Sequence, residues 1–225
     1  RLPRISTGDI LREAVQEGLA FPGDRSGATV TSYAFLHDRV QQAAYALIPD
    51  DRKQQVHLDV GQLLLAEAGA DGPDENLFDI VNHLNLGSAL MTEAAERRIL
   101  ATLNLAAGRK AKLSTAYRAA LGYFSAGVAL LEEDCWDGDY RLAFDLHLES
   151  GESEYLCGNF DRAEDCFRLL LDRARGTLDK AQVHIMRLTQ YENMSRFADA
   201  VRAGKEGLAL FDVSLPETTQ EKQTV

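Results

Sequence analysis

Residues 74–215 contain no proline; the five prolines are Pro3, Pro22, Pro49, Pro73 and Pro216. A stretch of that length without the residue that breaks an interior helix favours helices throughout. Apolar side chains recur in it at helical spacing: Leu77, Ile80, Val81 and Leu84; Leu100, Leu103 and Ala107; Leu142, Leu146 and Tyr155; Phe167, Leu170 and Leu171. Glycine or a small polar residue punctuates the run at Gly87, Gly138, Gly158, Gly176 and Ser195. The pattern predicts antiparallel helices joined by short turns, hence a mainly α fold.

The first 50 residues follow another pattern. Ser6 to Gly18 reads as an amphipathic helix with Ile10, Leu11, Ala14 and Val15 on one face, Ser6 or Thr7 as its cap and Gly18 as its stop. Leu19–Phe21 and Thr29–Leu36 are short β-prone runs around a turn-rich Pro22-Gly-Asp-Arg-Ser-Gly27 tip. Asp38 is expected to cap a further helix that carries Val40, Ala43, Ala44 and Leu47 inward, with Gln41 at the capping-box position. Helix, β-ribbon, helix is the ending of a winged helix.

Repeats organise the remainder. Gly151 to Leu170 resembles a tetratricopeptide repeat: Gly151 lets two helices approach, Gly158-Asn159 turns the chain, Phe160 plugs the groove and Ala163 sits at the crossing. Weaker copies flank it, with Gly108, Ala111, Tyr117, Ala120, Phe124 and Gly127 upstream and Tyr191, Phe197, Ala200 and Gly204 downstream. The crossing alanines are 163 − 120 = 43 and 200 − 163 = 37 residues apart, which predicts a degenerate array with lengthened helices. The expected organisation is a winged-helix end over residues 1–50, a helical connector over 51–95, repeats over 96–215 and a linker over 216–225.

Charge and cysteine usage narrow the function. Acidic residues exceed basic ones, 35 against 24, which disfavours nucleic acid and anionic membrane as partners. No apolar run is long enough to span a bilayer, and Arg1–Arg12 lacks the apolar core of a signal peptide. Cys135, Cys157 and Cys166 are too few for a disulfide framework, so a cytoplasmic setting with buried, reduced thiols is expected. The five histidines lie on different predicted elements, none near another His or Cys at metal-ligand spacing, so no metal site is expected. Arg97, Arg98, Arg109, Lys110, Lys112 and Arg118 form the one basic concentration, read as a solvated helix face. Trp136, within an acidic segment, is expected in a loop capping the stack. No Gly-x-x-x-x-Gly-Lys-Ser/Thr run is present, and with a start at Arg1 in place of methionine and a polar run from Glu217 to Thr224 the chain is expected to be a piece of a longer protein. No catalytic residues are assigned.

The run Tyr33-Ala-Phe-Leu-His-Asp-Arg-Val-Gln-Gln-Ala-Ala-Tyr-Ala-Leu-Ile-Pro49 resembles the end of the ATPase module in large signalling kinases. In those proteins an AAA-type STAND ATPase stands between a protein-kinase-like domain and sensor plus histidine-kinase domains. Val56-His57-Leu58 to Leu65, Leu77–Asn85, Ala106–Lys112 and Tyr155–Gly158 are similar to that family's helical segment, so the resemblance runs from Leu11 to about Pro216. Leu36-His37-Asp38 is also similar to the Met-His-Asp motif of the related NB-ARC proteins, where the histidine reaches the β-phosphate of ADP. The resemblance implies ATP or ADP with Mg²⁺ as cofactor of the full-length protein, none for this chain alone, and His37 and Asp38 as nucleotide-facing residues. It implies a protein partner, or other domains of the same chain, for the repeats. The alternative is a nucleotide-independent scaffold in which the repeats bind protein and His37 only packs.

Overall fold

The computed structural model describes residues 6–23, 25–26, 29–30, 33–68 and 75–215, and in these the chain forms eleven α-helices and two short antiparallel ladders. They divide into two compact units, Arg1–Val56 and His57–Val225.

In the first unit, helix α1 (Thr7–Gln16) opens on a reciprocal capping box: the Asp9 amide donates to Ser6 Oγ, and the Ser6 amide donates to the Asp9 carboxylate. It closes on Gly18 at φ +69°, where the Leu19 amide reaches back to the Ala14 carbonyl. Strand β1 (Ala20–Pro22) then pairs with β4 (Tyr33–Phe35), Ala20 opposite Phe35, while β2 (Arg25–Ser26) pairs with β3 (Thr29–Val30). The β2–β3 ladder begins within the expected Pro22–Gly27 tip, of which residues 24 and 27 lie outside the described residues. Helix α2 (Asp38–Ala46) follows, and α3 (Asp50–Glu67) starts directly after Pro49 and runs across the boundary between the units.

The second unit is helical throughout its described residues. Helix α4 (Leu77–Gly87) meets the second half of α3 through two glycine–leucine pairs. A Cβ on Gly61 would stand 2.6 Å from Leu84 Cδ2, and one on Gly87 would stand 2.8 Å from the backbone nitrogen of Leu58. The missing side chains thus let the two backbones touch. A 3₁₀ turn (Ser88–Leu90) leads to α5 (Ala94–Leu113), α6 (Tyr117–Ala129), the short α7 (Cys135–Gly138), α8 (Tyr140–Leu156), α9 (Phe160–Arg173), α10 (Thr177–Asn193) and α11 (Phe197–Ala209). No described helix is long and apolar enough to cross a membrane.

Three hairpins, α5–α6, α8–α9 and α10–α11, are built to one plan. Each turns at a left-handed residue, Thr115, Gly158 or Ser195. Each turn is closed by the same pair of bonds, illustrated by Gly158 N–H to Tyr155 O and Asn159 N–H to Glu154 O. Five residues past the turn stand Ala120, Ala163 and Ala200, all buried. Seven residues before it stand Gly108, Gly151 and Leu188; nine after it, Phe124, Phe167 and Gly204. A Cβ on Gly108 would lie 2.3 Å from Phe124, one on Gly151 would lie 2.9 Å from Phe167, and one on Gly204 would lie 3.0 Å from Leu188. The third hairpin fills the same gap with large and small exchanged, which conserves the packed volume. The expected plug, Phe160, instead stands 46% exposed against Tyr155; Phe167, fully buried, fills that place because it faces the glycine across the crossing.

Candidate functional site

His37 sits between β4 and α2. It is the N-cap residue of α2, with φ −144° and ψ 147°, and its carbonyl accepts from the Val40 and Gln41 amides. Asp38 is the first helical residue, not the cap the sequence suggested, and no side chain caps this end. Asp38 instead places a carboxylate in the first turn, where the helix dipole favours it. Both side chains are exposed. Beside them Phe35, Gln41, Gln42, Ala44, Tyr45 and Ile48 line an open, mostly apolar hollow of about 430 Å³. Ile10, Leu19, Phe21, Leu36 and Leu47 are exposed as well, and Ala20 is the one buried residue among the described residues of this unit.

Four of the six residues of the expected basic concentration, Arg97, Arg98, Arg109 and Lys112 on α5, are ion-paired within the array, and Lys110 lies over the Phe78 ring. Arg97 pairs with Glu132 at 3.1 Å and Arg98 with Asp139 at 2.5 Å. Arg109 reaches Glu149 at 2.7 Å and Asp145 at 3.2 Å, while Lys112 contacts Glu149 and Glu152. Arg141 carries the ladder from Asp145 on to Asp179 of α10. One ionic seam thus runs across α5, α8 and α10.

Trp136 lies on α7 and not in a loop. Its ring stacks on His147 with centroids 5.4 Å apart, and it packs against the Phe144–Leu148–Phe167–Leu170–Val183 core. Burial holds His147 below the ordinary histidine range.

Two features escaped the sequence reading. His57 on α3 and His83 on α4 bring their Nδ1 atoms to 3.0 Å, one nitrogen donating and the other accepting. They are 26 residues apart, and the close approach at Gly61 and Gly87 is what joins them. Burial, and then the charge His83 would carry, hold His57 below the usual value. No group of three or more His, Cys, Asp or Glu side chains suited to a metal exists among the described residues. The second feature is a polar cluster under the last hairpin. Arg187 bonds Glu164 at 2.7 Å and lies 3.5 Å from Glu206, and Tyr191 Oη donates to Glu164 at 2.7 Å. His184 is buried there with Nδ1 unbonded, 3.6 Å from Glu206, and burial holds its pKa down. The three cysteines are free; burial pushes the Cys166 thiol up to about 11, so it is no nucleophile.

The chain is similar to Hybrid signal transduction histidine kinase G of Dictyostelium discoideum, 30% identical over 227 aligned positions. The alignment covers 88% of this chain and 7% of that protein, so the chain corresponds to a small segment of that much larger relative. No protein-family profile matches the sequence, and no solved structure matches it.

Proposed function

We propose that the chain is a regulatory segment of an ATP-dependent signal-transduction kinase: a winged-helix end that reports nucleotide state, joined to a tetratricopeptide-like array that receives an input or holds a partner. The observation that carries the reading is the similarity to a signal-transduction histidine kinase over nearly the whole chain. In this reading ATP or ADP and Mg²⁺ are held chiefly by an AAA-type module elsewhere in the longer protein, and this chain contributes His37. The placement of His37 supports it: an exposed imidazole at a helix N-terminus stands where free amides and the dipole attract an anion. The exposed apolar side chains of the first unit are a surface that the rest of such a module would cover.

The test is ADP dissociation and basal phosphotransfer in the full-length protein. A charge-assisted hydrogen bond to phosphate contributes about 1.5–3 kcal/mol, so His37→Leu should speed ADP release by roughly tenfold to a hundredfold and raise basal phosphotransfer. Asp38→Ala removes only a first-turn carboxylate and should act more weakly, through stability. Equal ADP release in parent and His37→Leu reduces His37 to a packing residue and leaves the reading of the array as a nucleotide-independent scaffold ahead.

A further inference from the structure

The three hairpins stack through a repeated knob and socket. Twelve residues before the turn, each of the later first helices carries a fully buried aliphatic residue, Leu146 on α8 and Val183 on α10. Leu146 seats on the previous hairpin, where a Cβ on Gly127 would stand 2.6 Å from Leu146 Cδ2 and 3.3 Å from Asn104. Val183 enters the α8–α9 core beside Leu148, Phe167 and Leu170. The socket is thus built from fixed positions. Ten residues before the turn it takes Leu105, Leu148 and Ile185; eleven before, Asn104, His147 and His184; twelve after, Gly127, Leu170 and Gly207.

The first two sockets are filled and the third is open. Leu105 is 8% exposed and Leu148 5%, whereas Ile185, at the same position of the last hairpin, is 65% exposed. Around it Ala181, His184, Leu188, Gly204, Gly207 and Phe211 line an almost wholly apolar groove of about 320 Å³. Leu178 on α10 and Val201 on α11 are exposed apolar residues of the same hairpin. A large apolar patch rimmed by polar residues marks an interaction surface. This one continues, position for position, two interfaces already formed in the same molecule.

From this we infer that the α10–α11 groove is the socket for a further helix of the same array, supplied by chain beyond Val225, which seats a leucine- or valine-sized side chain on Gly207 against Ile185 and His184. Residues 217–224 contain no large aliphatic side chain, so the knob comes from beyond them. The chain matches only 7% of the kinase to which it is similar, so a protein of that kind carries much more chain than the matched segment, and the groove continues interfaces already made within this array. The inference is independent of any nucleotide contact at His37.

Two measurements test it on the 225-residue chain and on the same protein extended through the following 50 or so residues of its gene. Extension should slow amide exchange in 181–188 and 201–211 by about tenfold or more. Ile185→Lys should shift the melting temperature of the shorter chain by less than about 1 °C, since its side chain is exposed there, and lower that of the extended protein by about 4–8 °C. Unchanged exchange on extension overturns the inference, as does an Ile185→Lys effect that is the same in both lengths. A 225-residue dimer that Ile185→Lys dissociates assigns the groove to a second copy and overturns it too, and so does a gene that stops at Val225.

Discussion

A single methyl group added at Gly108 would stand 2.3 Å from Phe124, a buried ring held on all sides, whereas one added at Gly204 would meet only the tip of Leu188 at 3.0 Å. Gly108→Ala should therefore cost about 1–3 kcal/mol through overpacking, despite alanine's better helix propensity. Gly204→Ala should fall within about 1 kcal/mol of the parent, because a leucine tip can rotate aside and propensity then compensates. Urea denaturation of the two variants checks the contrast, and equal losses would mean that the third hairpin is not the size-exchanged counterpart of the first. These glycines were legible in the sequence because a repeat register points at them. The exchange at Leu188 and Gly204 was only half legible, since Gly204 was noted as a repeat residue without its large partner. The His57–His83 contact was not legible at all: neither residue carries a spacing signal, and only the backbone approach at Gly61 and Gly87 brings the rings together.

Among the elements, α4 and α5 are joined by a reciprocal amide pair. Asn85 Nδ2 donates to Asn104 Oδ1 at 2.9 Å, and Asn104 Nδ2 donates to Asn85 Oδ1 at 2.8 Å and to the Leu100 carbonyl at 3.0 Å. Asn104 is fully buried, so Asn104→Ala removes these bonds and strands Asn85, at about 1–3 kcal/mol. Replacing both residues should cost less than the two single losses combined, with a coupling of about 0.5–3 kcal/mol in a double-mutant cycle by urea denaturation. Additive losses would show that the two amides do not act as a unit. Helix boundaries in this part were legible because the punctuating residues end elements: Gly87 closes α4, Gly158 and Ser195 turn two hairpins, and Gly176 precedes α10. Thr115 makes the equivalent turn without glycine, and its left-handed backbone carries no local sequence signature. The cap of α2 differs from the sequence expectation for a related reason. Asp38 has the composition of a cap, but the strand pairing of Leu36, whose amide donates to Leu19, leaves His37 extended at the capping position.

For the whole molecule, the ionic seam across α5, α8 and α10 pairs a few carboxylates with Arg and Lys but leaves the formal excess of acid over base, 35 against 24, as it is. The titration that governs stability near neutral pH falls instead on histidines. His57, His147 and His184 are each held below the ordinary value of 6.5, in every case chiefly by burial. Above that value they are neutral in both folded and unfolded chains and cost nothing. As pH falls through it the unfolded chain takes up protons that the folded chain refuses, so stability is lost on acidification. Each refused proton contributes at most about 1.4 kcal/mol per pH unit, and three together at most about 4. The carboxylates held low, Asp9, Asp50 and Asp199, start from 3.8 and so act below this window. Denaturation midpoints should accordingly be flat from pH 8 to 7 and fall between pH 6.5 and 5.5. His147→Phe keeps a ring against Trp136 while removing one titrating group, and should reduce that slope by roughly a third. Midpoints that stay level down to pH 5.5 would mean that the three imidazoles accept protons as readily in the folded array as in the open chain.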